Sequence, residues 1–244
     1  MHPEEYAAMF RVEETHWWYR ALHRLIFQCL EKELSDWQTK RILDVGCGTG
    51  AILKRLGNPE KNIGVDLAPE ALVFCRHRGL HNVREGDICA LPFADASFDA
   101  VICSSVLYHQ WVSDVEIAMG EMHRVLRPGG VLVINVPAFR FLHSPHDEAV
   151  MTAQRFRKPE IRSLLKERNF EIRRLTYWTT LLFPLALLAR TFGGSKMGRD
   201  FDLDKDSFVQ KLFLKVMELE AGLLTKMSLP FGVALLAVAR KHAQ

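Results

Sequence analysis

The sequence lacks an apolar run long enough to cross a membrane. Its longest run, residues 181–189, is interrupted by Pro184 and falls far short of the ~20 consecutive apolar residues that a spanning helix requires. The first residues also lack the basic-then-apolar pattern of a secretory signal. We therefore expect a cytoplasmic protein. The basic stretch 155–174 is typical of a solvated helix face, and the alternative is peripheral contact with an anionic membrane.

Neither sign of charge dominates the chain. It has 32 Lys and Arg against 29 Asp and Glu, a formal net charge of +3, so no overall field attracts nucleic acid and a nucleic-acid substrate is disfavoured. The five cysteines are scattered and odd in number, which is typical of reduced thiols rather than of a disulfide framework. Because no CxxC pair or Cys/His ligand spacing occurs, we predict no metal site.

What the sequence does contain, from residue 41 onwards, is an alternation of short Val- and Ile-rich segments with helical patterns. The predicted order is strand 41–45, helix 50–57, strand 62–66, helix 69–78, strands 82–85 and 99–104, helix 114–126 and strand 131–136. Such an alternation is typical of a doubly wound α/β fold with a mostly parallel sheet. The later predicted elements are a helix at 159–168, a strand at 170–178, a helix at 208–224 and a strand at 233–240.

Three further segments have a predicted conformation. Residues 17–34 carry apolar side chains at helical spacing and predict an amphipathic helix before the first strand. Pro128-Gly129-Gly130 predicts a turn between the helix at 114–126 and the next strand. The polar, glycine-rich stretch 193–206 predicts a loop beside the site of the second substrate.

The glycine-rich segment after the first predicted strand is the most informative motif. It runs Asp44-Val-Gly46-Cys-Gly48-Thr-Gly50, and an acid, Asp66, ends the second predicted strand. Glycines let a backbone turn and approach a ligand closely, and the N–H groups of a helix that starts there favour polar or anionic ligand groups. An acid at the end of the second strand is placed to accept hydrogen bonds from ribose hydroxyls. The segment therefore predicts a site for a nucleotide cofactor.

Two cofactors fit these residues. The spacing Gly46-x-Gly48-x-x-Ala51 also matches the dinucleotide fingerprint, so an NAD-dependent oxidoreductase is one alternative. Asp44 favours the other, because a carboxylate two residues before the first glycine would repel a pyrophosphate and attract a cationic amino group. S-adenosylmethionine carries such a group.

Four blocks of the chain resemble the class I S-adenosylmethionine-dependent methyltransferases, in particular their small stand-alone domains. The blocks are Asp44 to Gly50, Gly64-Val-Asp66-Leu67, Glu85-Gly-Asp87-Ile88 with Ser97-Phe-Asp99, and Arg124-Val-Leu-Arg-Pro128-Gly-Gly130. One block alone is a weak signal, whereas four in order at these spacings are specific. The resemblance implies a Rossmann-like, seven-stranded sheet with a C-terminal antiparallel hairpin and an N-terminal helical lid.

The resemblance also implies S-adenosyl-L-methionine as the cofactor and indicates which residues bind it. The implied cofactor-binding residues are Asp44, Gly46, Gly48, Asp66, Leu67, Asp87, Ile88 and Ser104. Asp44 would bind the methionine amine, Asp66 the ribose and Asp87 the adenine amine. The alternative for Asp44 and Asp87 is a capping carboxylate, and packing alone would explain Leu67.

Methyl transfer is a displacement at carbon in which alignment of the reactants supplies much of the rate, and a base is needed only when the acceptor must lose a proton. The candidate base is His109, which follows the strand at 99–104 at the edge where open α/β sheets bind ligands. The alternative is that His109 braces its loop.

The candidate residues for binding the acceptor are Trp17, Tyr19, Tyr108 and His146. Trp17 and Tyr19 would belong to the lid, whereas Trp18 falls on the apolar face of the helix and is predicted to be buried. His146 follows the strand at 131–136, and its alternative is a turn-forming motif after Pro145.

The sequence thus predicts one methyltransferase domain over residues 1–244, with a helical lid at 1–40, a cofactor-binding half at 41–137 and an acceptor-binding half at 138–244. The predicted reaction moves the methyl group of S-adenosylmethionine to an O, N or C nucleophile of a small or lipophilic acceptor. The alternatives are an NAD-dependent oxidoreductase and a catalytically inactive scaffold that binds S-adenosylmethionine. No oligomeric state is predicted.

Overall fold

The computed structural model describes residues 1–192 and 207–243, so the loop predicted at 193–206 lies outside the described residues. The strands are β1 (Ile42–Val45), β2 (Ile63–Asp66), β3 (Val83–Glu85), β4 (Phe98–Ser104), β5 (Leu126–Pro137), β6 (Phe170–Trp178) and β7 (Ala234–Lys241). The helices are α1 (Pro3–Val12), α2 (Trp17–Glu33), α3 (Ala51–Leu56), α4 (Pro69–His77), α5 (Val115–Val125), α6 (Pro145–Ala149), α7 (Lys158–Glu167), α8 (Phe183–Phe192) and α9 (Phe208–Lys226).

The strands form one sheet in the order β3-β2-β1-β4-β5-β7-β6. Strands β1 to β5 are parallel, and β7 runs antiparallel to both β5 and β6. The predicted α/β fold, with its mostly parallel seven-stranded sheet and antiparallel hairpin, is therefore confirmed. The carboxyl ends of β1, β2 and β4 meet at one edge.

Apolar layers cover both faces of the sheet, as a parallel sheet requires. Leu43 of β1 belongs to the core under α5 and α7, whereas its neighbour Ile42 belongs to the core under α2, because successive side chains of a strand point to opposite faces. Helix α2 buries Leu22, Ile26 and Leu30 in that second core. Helix α2 is thus packed on the sheet.

The Pro128-Gly129-Gly130 segment departs from its predicted turn. Strand β5 begins at Leu126, immediately after α5, and contains all three residues. The register shifts there, since Phe98 pairs with Leu126 and Ala100 pairs with Val131. The segment ends the helix as predicted, but its backbone forms an irregular, bulged start of the strand instead of a separate turn.

Helices α1, α6 and α8 were not predicted. Pro184 interrupts the apolar run 181–189 in the sequence, yet it is the second residue of α8, where a missing N–H breaks no helical hydrogen bond. In the described ranges 1–192 and 207–243, no helix combines the length and the apolar composition that crossing a bilayer requires.

Helix α9 joins the N-terminal helices to the second half of the chain. Its buried Gln210 accepts a hydrogen bond from the Trp17 backbone N–H at 2.9 Å, and its buried Glu220 accepts one from the Leu181 N–H at 2.8 Å. These side chains satisfy backbone donors near the starts of α2 and α8, which a helix cannot satisfy internally.

Candidate active site

The carboxyl ends of β1, β2 and β4 open into a cavity of about 460 Å³. Its lining comes from the loop after β1, the loop after β4, and the helices α1 and α2. The neighbours of β1 are β2 on one side and β4 on the other, and open α/β sheets bind ligands at such a switch point. Every predicted site residue lies on the cavity wall except Trp17.

The loop after β1 depends on glycine. Gly46 and Gly48 have positive φ angles of 67° and 55°, a conformation that residues with a Cβ rarely adopt. A Cβ at Gly46 would also overlap the side chain of Val106. The N–H groups of Gly46 and Cys47 donate to the Val65 carbonyl of β2 at 2.7 and 3.0 Å. The loop is therefore held against the sheet while its backbone stays close to the cavity.

Asp44 is a buried carboxylate on the cavity wall. Its Oδ2 atom has no hydrogen-bond partner among the residues that the structure describes. Burial raises the pKa of Asp44 to about 8, and the nearby carboxyl groups of Asp66 and Glu13 add to the shift. A buried carboxylate is stabilised by a cationic partner, which would lower this pKa again. The position therefore fits a ligand that presents an ammonium group.

Asp66 ends β2 beside the same loop. Its Oδ2 accepts from the Gly48 N–H at 2.8 Å, and its Oδ1 accepts from the Ala68 N–H at 2.9 Å. Burial raises the pKa of Asp66, although the two N–H groups oppose the shift. Because each carboxylate oxygen can accept more than one hydrogen bond, Asp66 can still accept from ribose hydroxyls.

The other predicted cofactor residues lie along the same wall. Oδ1 of Asp87 accepts from the Cys89 N–H at 2.8 Å, so Asp87 caps a turn as well as lining the cavity. Ser104 is the last residue of β4. Ile88 is buried, whereas Leu67 is 45% exposed. Packing in the core therefore does not explain the apolar side chain at position 67.

Helix α1 supplies cavity residues that the sequence interpretation missed. Tyr6 and Met9 line the cavity, and a Cβ at Gly48 would lie 2.9 Å from the Met9 methyl group. Burial, and next the charge of Asp66, raise the pKa of the Tyr6 hydroxyl well above its ordinary value, so the hydroxyl remains a donor. The spacing of Tyr6 and Met9 behind Pro3 at the helix start is a helical signal that could have revealed α1.

A buried polar network fastens α1 to the glycine loop. The Glu13 carboxylate accepts hydrogen bonds from the Thr49 hydroxyl and from the Arg78 guanidinium. Arg78 Nε also donates to the Thr49 carbonyl at 2.7 Å, and the guanidinium lies over the Phe10 ring. Both charged side chains are buried. The network therefore holds α1, the loop after β1 and the end of α4 together.

The aromatic residues at the start of α2 are placed differently from the sequence prediction. Trp17 packs edge-on against Phe213 of α9, with ring centroids 5.3 Å apart. Trp18 lines the cavity and stacks on Trp178, with centroids 5.7 Å apart. Tyr19 also lines the cavity. Trp17 is thus away from the cavity wall, because α9 covers the side of α2 that carries it, whereas Trp18 packs on the core as predicted and also lines the cavity.

The loop after β4 carries the candidate base. The rings of Tyr108 and His109 have centroids 4.3 Å apart, and both line the cavity. Nδ1 of His109 is buried without a hydrogen-bond partner in the described part of the chain. Burial lowers the pKa of His109 to about 4 and raises that of Tyr108. Both side chains are therefore uncharged at neutral pH, and His109 is a weak base.

A hydrogen-bonded chain supports this loop from behind. The Trp178 indole N–H donates to Asn135 Oδ1 at 2.8 Å, and Asn135 Nδ2 donates to Ser105 Oγ at 3.1 Å. Ser105 has a positive φ of 62°, an uncommon conformation for a residue with a Cβ. The indole on which Trp18 stacks is therefore connected to the loop of the candidate base.

His146 and Asp147 have different surroundings. His146 lines the cavity, whereas Asp147 is buried and accepts from the Arg155 guanidinium at 2.9 and 3.0 Å. It also accepts from the Ser144 N–H at 2.8 Å. Burial opposes its ionisation, but Arg155 holds the pKa of Asp147 below its ordinary value. Asp147 is thus a structural carboxylate that positions α6, and α6 carries His146.

Comparison with known proteins bears on the identity of this site. The model of a methyltransferase domain family matches residues 43–134, the stretch from β1 to β5. A solved S-adenosylmethionine-dependent methyltransferase of Thermotoga maritima has the same fold, with a TM-score of 0.60 and 20% identity over 98% of this chain and 95% of that chain. Residues 43–134 thus match a methyltransferase domain, and the chain has the fold of the S-adenosylmethionine-dependent methyltransferases. The domain match and the relatives named as methyltransferases support S-adenosyl-L-methionine as the cofactor over the NAD alternative.

Two curated relatives are similar over part of the chain. A malonyl-acyl-carrier-protein O-methyltransferase of Erwinia billingiae is 34% identical over 140 residues, which are 56% of this chain and 54% of the relative. A fatty-acid O-methyltransferase of Mycolicibacterium smegmatis is 41% identical over 106 residues, 39% of this chain and 36% of the relative. The chain therefore spans about half or less of the length of these relatives.

Proposed function

We propose that the protein transfers the methyl group of S-adenosylmethionine to an oxygen nucleophile, in particular a carboxylate, of a small or lipophilic acceptor. The observation that carries the cofactor part of this proposal is Asp44, because its buried Oδ2 lacks a partner beside the glycine loop. An α-ammonium group would supply that partner. When bound, the cofactor provides an electrophilic methyl group on a positively charged sulfur.

The residues of the chain would bind and align this cofactor. Asp44 would hold the ammonium group, Asp66 the ribose hydroxyls, and Asp87 the adenine amine. Tyr6 and Trp18 lie on the helices that line the cavity and would exclude water. Holding two reactants in reacting geometry can supply about 7–11 kcal/mol of the barrier, so alignment is the main catalytic contribution.

The properties of His109 support a carboxylate acceptor. An alcohol must lose a proton as it attacks, and a base with a pKa of about 4 is poorly matched to that task. A carboxylate is already ionised at neutral pH and needs no base. The neutral imidazole could instead donate a hydrogen bond to one carboxylate oxygen while the other attacks the methyl carbon. His109 would then be a catalytic residue that orients the acceptor.

Two further observations support an acceptor with a lipophilic part. The cavity wall next to His109 contains Val106, Val112 and Val150, which suit an apolar chain. The names of the two relatives specify O-methylation, in one case of a fatty acid, and a fatty acid presents a carboxylate on an apolar chain.

The cofactor part is tested by calorimetric titration with S-adenosylhomocysteine. We expect Asp44→Asn to weaken binding about 10- to 100-fold, because a charged hydrogen bond is worth about 1.5–3 kcal/mol. The matched control is Asp95→Asn, which makes the same chemical change at an exposed position and should bind like the native protein. Equal affinity in the Asp44 variant and the native protein would contradict the assigned role of Asp44.

The acceptor part is tested with methyl-labelled S-adenosylmethionine and cellular extract fractions. A methyl ester is hydrolysed by mild alkali and releases volatile labelled methanol, whereas N-methyl, C-methyl and ether products retain the label. We expect alkali-labile label in the lipid or small-molecule fraction. Alkali-stable label would still support methyltransferase activity but would refute the carboxylate acceptor. Cofactor binding without any incorporated label would favour the inactive scaffold.

A further inference from the structure

Helix α9 presents an exposed apolar stripe, which we define as Phe208, Leu212, Leu219 and Leu223. Their side chains are 77%, 46%, 70% and 42% exposed. They are four, seven and four residues apart, so they lie along one face of the helix. The opposite face is buried through Met217, Glu220, Ala221 and Leu224. The packing of α9 on the protein therefore uses its other face and does not require the stripe.

Lysines border the stripe. Lys211, Lys215 and Lys226 each stand three residues after a stripe residue, which makes them neighbours on the helix surface. Among the described residues none of them forms an ion pair, and the exposed acid of α9, Glu218, is paired with Arg24 at 2.6 Å. Among the residues that the structure describes, the border therefore has a net positive charge.

The start of α8 packs on the other face of α9. The Leu181 N–H donates to the buried Glu220 at 2.8 Å. Leu181 and Leu185 are 47% and 45% exposed, and no acid occurs in the sequence of α8. The contact with α8 therefore leaves the α9 stripe uncovered and places no acid of α8 beside it.

We infer that the α9 stripe docks on the surface of an anionic phospholipid bilayer. A helix that lies in the interface inserts its apolar face between headgroups, while basic side chains at the border contact anionic lipid. A symmetric contact with a second copy would instead bring the lysine borders of two stripes together, and like charges oppose that arrangement.

The inference is tested by sedimentation with vesicles. We expect the native protein to sediment with vesicles of phosphatidylcholine mixed with phosphatidylglycerol, and to stay in solution with vesicles of phosphatidylcholine alone. Added salt should weaken the binding, because it screens exposed charges. Leu212→Glu/Leu219→Glu should lower the partition coefficient at least about tenfold, and Lys211→Glu/Lys215→Glu should also lower it about tenfold or more.

The matched control is Val73→Glu/Ile117→Glu, which places the same charges at exposed apolar residues of α4 and α5. It should sediment like the native protein, and circular dichroism checks that all variants are folded. Native protein that stays in solution with anionic vesicles, or stripe variants that bind like the control, would overturn the inference. So would a native dimer that ignores vesicles and becomes monomeric in Leu212→Glu/Leu219→Glu. None of these measurements needs the methyl acceptor, so they are independent of the proposed reaction.

Discussion

Gly48 donates its backbone N–H to Oδ2 of Asp66 at 2.8 Å, so the loop after β1 is fastened to the acid that ends β2. The same carboxylate accepts from the Ala68 N–H through Oδ1. One side chain therefore orders the glycine loop and, in the proposed site, would also accept hydrogen bonds from a ribose. Its two roles can be separated by substitution.

Asp66→Ala should remove both roles. We expect a loss of S-adenosylhomocysteine affinity of about 30-fold or more, since hydrogen bonds to a charged group are worth about 1.5–3 kcal/mol each. Asp66→Asn retains one acceptor oxygen for the Gly48 or Ala68 N–H and should lose less. Calorimetric titration measures both affinities. If the two variants bind equally, the hydrogen bond to the loop contributes nothing.

Gly46→Ala should destabilise the fold for two reasons. The φ of 67° costs about 1–2 kcal/mol for a residue with a Cβ, and the new methyl group would overlap Val106. Gly79→Ala provides the control, because Gly79 has a φ of 77° with open space around its Cβ position. Urea unfolding should therefore show a larger decrease in the free energy of unfolding for Gly46→Ala than for Gly79→Ala. Val106→Ala added to Gly46→Ala should recover part of the difference, and a failure to do so would locate the strain elsewhere.

His23 should make the fold sensitive to acid. It is buried on the cavity wall, and burial, followed by the charges of Arg55 and Arg78, lowers its pKa to about 4. The unfolded chain, with an ordinary histidine pKa of about 6.5, therefore binds a proton first as the pH falls. The contribution of neutral His23 to the free energy of unfolding is fully present above about pH 6.5. As the pH falls from about 6.5 to about 4, this contribution decreases by up to about 1.4 kcal/mol per pH unit.

Urea unfolding at pH 7 and pH 5 checks this dependence. His23→Gln cannot take up the proton, so its stability should fall less between the two pH values than that of the native protein. His81→Gln, at an exposed position, is the control and should keep the native dependence. Identical pH dependence in the native protein and the His23 variant would refute the assignment.

Arg155 should be essential for the stability of the segment after β5. Arg155→Met leaves the buried Asp147 carboxylate without its guanidinium partner, which typically costs about 3–5 kcal/mol. The double variant Asp147→Leu/Arg155→Met removes both charges and should be less destabilised than the single one. Denaturant unfolding of both single variants, Arg155→Met and Asp147→Leu, and of the double variant gives the coupling energy. If the double variant loses as much free energy of unfolding as the two single variants together, the two residues do not interact.

The sequence was sufficient for the strands and for the edge of the sheet at which the cavity opens. Strand β1 is apolar apart from Asp44, and Gly46 with Asp66 marks where β1 and β2 end. The sequence could not give contacts between distant segments. Trp17 and Trp18 are adjacent, and which one faces the cavity depends on Phe213 of α9, almost two hundred residues away.

Other differences arose from local signals with two meanings. Pro184 was interpreted as a break in an apolar run, although proline is also common at a helix start, where the structure has it. Asp147 follows Pro145, as a turn-forming acid does, but its pairing with Arg155 depends on how the chain returns after α6. The carboxylate acceptor and the role of His109 stay predictions.

The position of β7 has a consequence for how the protein is made. Strand β7 lies between β5 and β6, although both are synthesised before it. While the nascent chain is still on the ribosome, β5 has an unpaired edge and β6 has no neighbour in the sheet. Open strand edges favour pairing with other chains. This half of the sheet is therefore complete only when β7 has been synthesised and has paired between β5 and β6.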